Sequence, residues 1–434
     1  MESSPTIPAE ILDIILISLR EDRHTLAVAS TVCRRFGHLC QKLLFSRYRL
    51  ADRGTRSSAA GDIQGHYHVP AHRRLLKTLE SSPHLGPYVM SLSIGKIFDS
   101  QGRAIMSHDF RRALALTYPR LPNLRRLEIN APKRGYDWDD LPLRVPVGQT
   151  NLVSAITHLT LRNIHDVPIG FSKIFPGLEE LCLEQVSFVG NEWVMDIQDQ
   201  VEPTISLMHL RLAIDHLFVP WIFSVSSGIS VQNLEELSIR NNFQSSIVLN
   251  FIFVQIMQEK NKSLWGTLES LELSDVGLGQ SHPQMNVPET EVDLSKLTKL
   301  RNFRINASRL LSDTIPGSAE RRIQWLTGWL EGLKACKHLQ YFVCCFAELE
   351  LMEDRPYTIF KTDHAPVLEE FLLEFQESLQ ICIKISVPER HKTHRENVFI
   401  EKYADMFPRL RLLDRFEINI CYSTDFAFPS YYET

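Results

Sequence analysis

The chain has 434 residues, 44% hydrophobic and 23% charged, with 22 Pro and 19 Gly, a composition that excludes collagen-like, mucin-like and wholly disordered classes. A formal charge of −5 is too mild for a general nucleic-acid or membrane-surface binder, but the charge is uneven. Between Arg20 and Arg56 nine Lys or Arg accompany three acids, so a basic end precedes an acidic body.

In chain order, Pro8 stands where a first helical turn tolerates it, and Ile11 to Leu19 contains seven large aliphatics in nine residues. That covers nearly the whole circumference of a helix, so one face needs a neighbour or a second chain. A second helix is predicted over about Thr25–Thr31 and a third over about Arg34–Phe45, the latter with Phe36, Leu39, Cys40, Leu43 and Leu44 at helical spacing. The series Ile7-Pro8-Ala9-Glu10-Ile11, Ile14-Ile15, Leu19, Leu26, Val32-Cys33-Arg34-Arg35-Phe36 and Leu44-Phe45 resembles an F-box. The resemblance covers about residues 5–48 and departs at Ile7 and at Ala29–Thr31. It implies docking onto the Skp-type adaptor of a cullin–RING ubiquitin ligase, with Pro8, Ile11, Ile15, Leu19, Leu26, Val32 and Phe36 divided between the module's own core and the adaptor groove. The basic excess suits an acidic partner and would mainly raise the on-rate.

Gly54–Gly61 is small, polar and aperiodic and reads as a loop. His66, His68 and His72 follow it, but Pro70 breaks any single helix that would present them. No metal is assigned there, and a solvated loop is predicted.

From Val89 onward a Leu-x-x-Leu-x-Leu phrase recurs about every 32 residues, starting at Val89, Leu124, Ile156, Leu178, Leu207, Leu234, Leu268, Leu300, Leu339, Leu368 and Leu413. The fourth and sixth positions alternate with polar neighbours, which predicts a short strand with one buried face. Helix-like stretches lie between phrases at Ile105–Tyr118, Ser245–Lys260, Ala319–Ala335 and Asn397–Phe407. This body resembles an irregular leucine-rich repeat solenoid. The resemblance implies an α/β class with parallel strands on the concave side and helices on the convex side. The family's asparagine position is kept at Asn242 but taken by Ile164, Val186, Asp215, Val276 and Ser308 elsewhere. The organisation read is residues 1–50 as the F-box module, 51–85 as linker and first connecting helix, and 86–434 as the solenoid with a C-terminal cap built from the aromatics of Asp425–Thr434.

Odd positions of each phrase should face out of the strand wall. Arg162, Arg211, Arg240 and Arg304 could there hold an acidic or phosphorylated segment of a substrate protein, although glutamates are interleaved. Tyr341–Phe346 reads as a fully buried strand. No C-x-x-C pair, nucleotide-binding glycine loop, His-Glu-x-x-His or Gly-x-Ser-x-Gly occurs, so no cofactor and no catalysis by the chain itself is predicted. With no leader pattern and no apolar run of membrane-spanning length, the expected location is cytoplasmic and/or nuclear, without membrane or nucleic-acid partners. The function these readings imply is a substrate-recognition subunit of an SCF-type ligase. The alternative is an interaction scaffold whose F-box-like module recruits no ligase.

Overall fold

The computed structural model describes residues 8–50, 71–95, 108–132, 135–141, 143, 155–189, 205–213, 219–224, 227–240, 262–274, 294–306, 328, 330–347, 365–375, 377–388, 400–401 and 404–423. The predictions for Gly54–Gly61, His66, His68, Ser245–Lys260, Asn242, Asp215, Val276, Ser308 and Asp425–Thr434 fall outside these residues. The chain divides into two compact units, residues 1–205 with 226–228, and 206–225 with 229–434.

The first unit opens with helices α1 (Ala9–Ser18), α2 (Arg23–Ala29) and α3 (Arg34–Ser46). Leu16, Leu26 and Cys40 form their core, with Leu19, Ala29, Phe36, Leu39, Leu43 and Leu44 packed around it. Asp22 starts α2: one carboxylate oxygen accepts from the Thr25 amide at 3.0 Å and the other from the Thr25 hydroxyl at 2.6 Å. These bonds, the hydroxyl's first, hold the Asp22 carboxyl below its usual pKa. α3 runs directly into strand β1 (Arg47–Leu50), which pairs in parallel with β2 (Ser91–Ile94). The sheet therefore begins inside the range read as helical module.

β1 is followed by helix α4 (Ala71–Ser81), a 3-10 turn at Pro83–Tyr88, and then β2. His72 is buried in α4 with its ring edge-on to Phe110 at 4.9 Å, which corrects the solvated-loop reading for that residue. The helix expected from Ile105 to Tyr118 is α5 (His108–Thr117), closed by a 3-10 turn at Tyr118–Arg120. Three further strands, β3 (Arg126–Asn130), β4 (His158–Arg162) and β5 (Glu180–Glu184), continue the parallel sheet. In β2 to β5 the fourth and sixth phrase positions, from Leu92 and Ile94 to Leu181 and Leu183, are at most 1% exposed. Each such side chain contributes roughly 2 kcal/mol. Successive turns are laced at the second phrase position, where Glu179 N–H donates to Thr157 and Thr157 N–H to Arg125, both at 2.8 Å. Asn163 and Gln185, one residue past β4 and β5, take the left-handed conformation. The Asn163 side-chain amide donates to the Ala131 carbonyl at 3.1 Å, one residue before the place where a ladder asparagine was sought.

The second unit holds strands β6 (His209–Ala213), β7 (Glu236–Arg240), β8 (Ser270–Ser274), β9 (Asn302–Asn306), β10 (Tyr341–Ala347), β11 (Gln380–Pro388) and β12 (Phe416–Ser423), all parallel in chain order. Their inward pairs, from Leu210 and Leu212 through Ile381 and Ile383, are at most 2% exposed. Phe303, Phe342 and Phe375 stack in series at 6.1 and 6.3 Å.

Two readings are corrected here. The phrase at Leu368 is not a strand but lies in helix α6 (Ala365–Leu373), which buries Ala365, Leu368, Glu369 and Leu372, spaced for one helical face. Glu370 therefore belongs to that helix and not to the strand wall. It pairs with Arg409 at 3.0 Å. Tyr341–Phe346 is not wholly buried either: Phe342 and Cys344 are at 0% and Tyr341 is 51% exposed, because a strand with one free face alternates.

Candidate functional site

Two surfaces carry the residues singled out by sequence. The first is on the N-terminal helices. α1 spends Leu12 and Leu16, four residues apart, on the interior and leaves Ile11, Ile14, Ile15 and Ile17 exposed at 47, 64, 46 and 57%. Ile11, Ile14 and Ile15 share one helical face by their i, i+3, i+4 spacing. Val28 and Val32, on and after α2, are also exposed, at 55 and 69%. Of the seven positions that the F-box resemblance divided between core and groove, Leu26 is buried and Leu19 and Phe36 pack against it, while Pro8, Ile11, Ile15 and Val32 are exposed. Ile14, Ile17 and Val28 extend the exposed set beyond those positions. For Ile14 and Ile17 the signal is the nearly all-round apolar character of α1; Val28, on α2, had none.

The second surface is the outward side of the strands, and here the four arginines differ in their surroundings. In the first unit, Arg162 lies 2.9 Å from Glu184 and 3.9 Å from Glu128. Glu180 bridges Arg126 at 3.1 Å and His158 at 2.9 Å, and the other His158 ring nitrogen meets the Thr157 hydroxyl at 2.6 Å. Each arginine on β3 and β4 thus has an acid within reach on the same unit.

In the second unit, Arg211 is 3.8 Å from Glu236, and Arg304 is 3.7 Å from Glu272. The Arg304 Nε also donates to the Cys345 Sγ at 3.4 Å, and Ser238 donates to Glu272 at 3.2 Å. Arg240 has no ion pair among the described residues, and its Nε is buried without a hydrogen-bond partner. The arginines are therefore largely neutralised in place rather than gathered into one cationic edge. Sequence spacing could not reveal this, because each pair joins different repeats.

Thiols complete the second unit's outward side. Burial pushes the Cys344 thiol well above its ordinary pKa, and burial also raises Cys345 and Cys382, so all three stay protonated near neutrality. Cys344 is fully buried on the inward side and Cys345 touches Arg304, as successive residues of a strand face opposite sides. Among the described residues no group of three His, Cys, Asp or Glu is placed to hold a metal ion. No helix among them is long and apolar enough to cross a membrane.

No protein-family model matches the chain, and no curated protein matches it. Among solved structures it is similar to a protein of Bacteroides fragilis at 11% identity, over 86% of this chain and 74% of that one, with a TM-score of 0.34. A second likeness is to an internalin of Listeria monocytogenes at 10% identity, over 72% of this chain and 87% of that one, with a TM-score of 0.25.

Proposed function

We propose that this chain is a non-enzymatic recruiting subunit. In this reading its N-terminal helices are an F-box that docks a Skp-type adaptor and, through it, a cullin scaffold. The parallel-strand array is a leucine-rich repeat body that holds a target protein on its outward side. Catalysis of ubiquitin transfer then lies in other subunits, and this chain contributes proximity.

The observation that carries the reading is the exposed Ile11, Ile14, Ile15, Ile17, Val28 and Val32 on a module that already has a closed core of its own. Monomeric surfaces rarely leave so many large aliphatics exposed on one small module, and such patches mark docking sites. Each aliphatic buried by a partner would contribute roughly 1.5–3 kcal/mol. The solvated strand face, where Arg126, Arg162, Arg211 and Arg304 each have a glutamate within reach, suits a protein target better than a polynucleotide, whose phosphates need uncompensated cations.

The test is co-expression of the full chain with the Skp-type adaptor of the same organism, followed by size-exclusion chromatography. A one-to-one complex is expected, lost on replacing Ile11 and Ile15 together by Asp while the far-UV circular dichroism of the chain persists. Failure of the unaltered chain to co-elute would leave the scaffold reading in its place.

A further inference from the structure

The outward side of the first three strands differs from the rest of the wall. β1 presents Arg47 and Arg49 outward, both exposed, with Leu50 buried beneath. The next strand, β2, carries only Ser91 and Ser93 at the paired positions, Arg47 opposite Ser91 and Arg49 opposite Ser93. β3 closes the rows with Arg126 beside Ser91 and Glu128 beside Ser93.

Charge compensation is weak here. Glu128 is engaged elsewhere, accepting from Asn130 at 2.9 Å with Arg162 at 3.9 Å. Arg126 is held by Glu180 at 3.1 Å. Arg47 has only a distant, exposed contact with Glu21 at 3.9 Å. Among the described residues Arg49 has no ion pair, and the Ser91 and Ser93 hydroxyls have no side-chain hydrogen bond. The short serine side chains thus form a strip between two arginine-bearing strands.

We infer that this strip binds an extended, acid-rich peptide segment with carboxylates at alternate residues, running along β1 and β2. Arg47 and Arg49 are two residues apart on one strand face, a repeat of about 6.6 Å. An extended peptide places its own i and i+2 side chains at the same spacing, so each carboxylate meets one guanidinium in a two-point contact, with a serine hydroxyl beside it. The local excess of nine basic residues over three acidic ones from Arg20 to Arg56 adds long-range attraction. The use of this site rests on the target-recruiting reading above, whereas its existence does not depend on adaptor docking.

The experiment titrates the full-length chain into a fluorescein-labelled Ser-Glu-Ser-Glu-Ser-Glu-Ser peptide at low salt and follows anisotropy. Saturable binding that weakens with salt is expected. The Arg47→Ala/Arg49→Ala double variant should lose about tenfold in affinity or more, each tenfold being 1.4 kcal/mol. Arg409→Ala/Arg411→Ala, at exposed paired arginines away from the strand face, should leave it unchanged. An Arg47→Glu/Arg49→Glu variant should bind the corresponding Ser-Lys peptide instead, which separates recognition from a folding defect. No binding by the unaltered chain, equal affinity of the Arg47→Ala/Arg49→Ala variant, or preference for a single-stranded oligonucleotide would overturn the assignment. The double variant should still co-elute with the adaptor. Loss of co-elution with peptide binding intact would mean that the two arginines belong to the docking face, and would equally overturn it.

Discussion

Tyr118 shows how much one polar atom can cost. It follows α5, is 8% exposed, and its hydroxyl is buried without a hydrogen-bond partner. Burial also pushes its phenol well above the ordinary range. An unsatisfied buried hydroxyl costs about 1–3 kcal/mol, so Tyr118→Phe should stabilise the first unit by about 1 kcal/mol, read as a higher urea midpoint at neutral pH. A raised folded pKa keeps the proton on in the native state while the unfolded chain releases it, so this contribution is fully present below the unfolded value and lost as pH rises through the folded one. Stability should therefore decline above about pH 10, and the Phe variant should decline less in the same alkaline titration. Glu369 is the contrasting case. It is 4% exposed, yet one oxygen accepts from the Arg409 and Leu410 amides at 2.7 and 2.9 Å, so its burial is matched by bonds from the turn that it caps.

At the level of elements, position and close packing decide more than propensity. Gly86, in the turn between α4 and β2, is buried, and a Cβ there would meet the Arg120 carbonyl oxygen at 2.0 Å. Backbone cannot retreat as a side chain can, so Gly86→Ala should cost about 1–3 kcal/mol and lower the Tm in calorimetry. Gly170, whose added Cβ meets nothing within 4 Å, is the control, and Gly170→Ala should lower the Tm far less. The same scale explains where the phrase pattern misled. Leu368-Glu-Glu-Phe-Leu-Leu satisfies the strand template, yet Ala365, Leu368 and Leu372 fall on one helical face. β11 departs from the phrase because its first position is Ser378, with Ile381 in the fourth opposite Phe342. β1 hid behind aromatic substitutes, Phe45 and Tyr48, in the place of leucines.

For the whole molecule, the two units each carry a continuous apolar layer, and the cysteines report on it. Cys33 is exposed, whereas Cys40, Cys336 and Cys344 are buried. Alkylation of the native chain, mapped by mass spectrometry, should label Cys33 first and leave those three unreacted until denaturant is added. Cys336 and Cys344 should become reactive at one denaturant concentration, because both are buried within one compact unit. Labelling of Cys344 in the folded chain would contradict that layer.

Most of the repeated strands, the three N-terminal helices and the surplus of aliphatics on the first of them are legible in the spacing of the chain. All are local properties, set by periods of 2 and 3.6 residues that a single chain segment displays. Tertiary structure decided that Leu12 and Leu16 go inside while Ile11 and Ile15 stay out, because which stripe is buried depends on where α3 lies. It also decided that Arg162, Arg211 and Arg304 meet glutamates of neighbouring strands, while Arg47 and Arg49 face serines. Charge partners on a parallel sheet sit one strand away in space but some 20 to 45 residues away in the chain, and only the register brings them together.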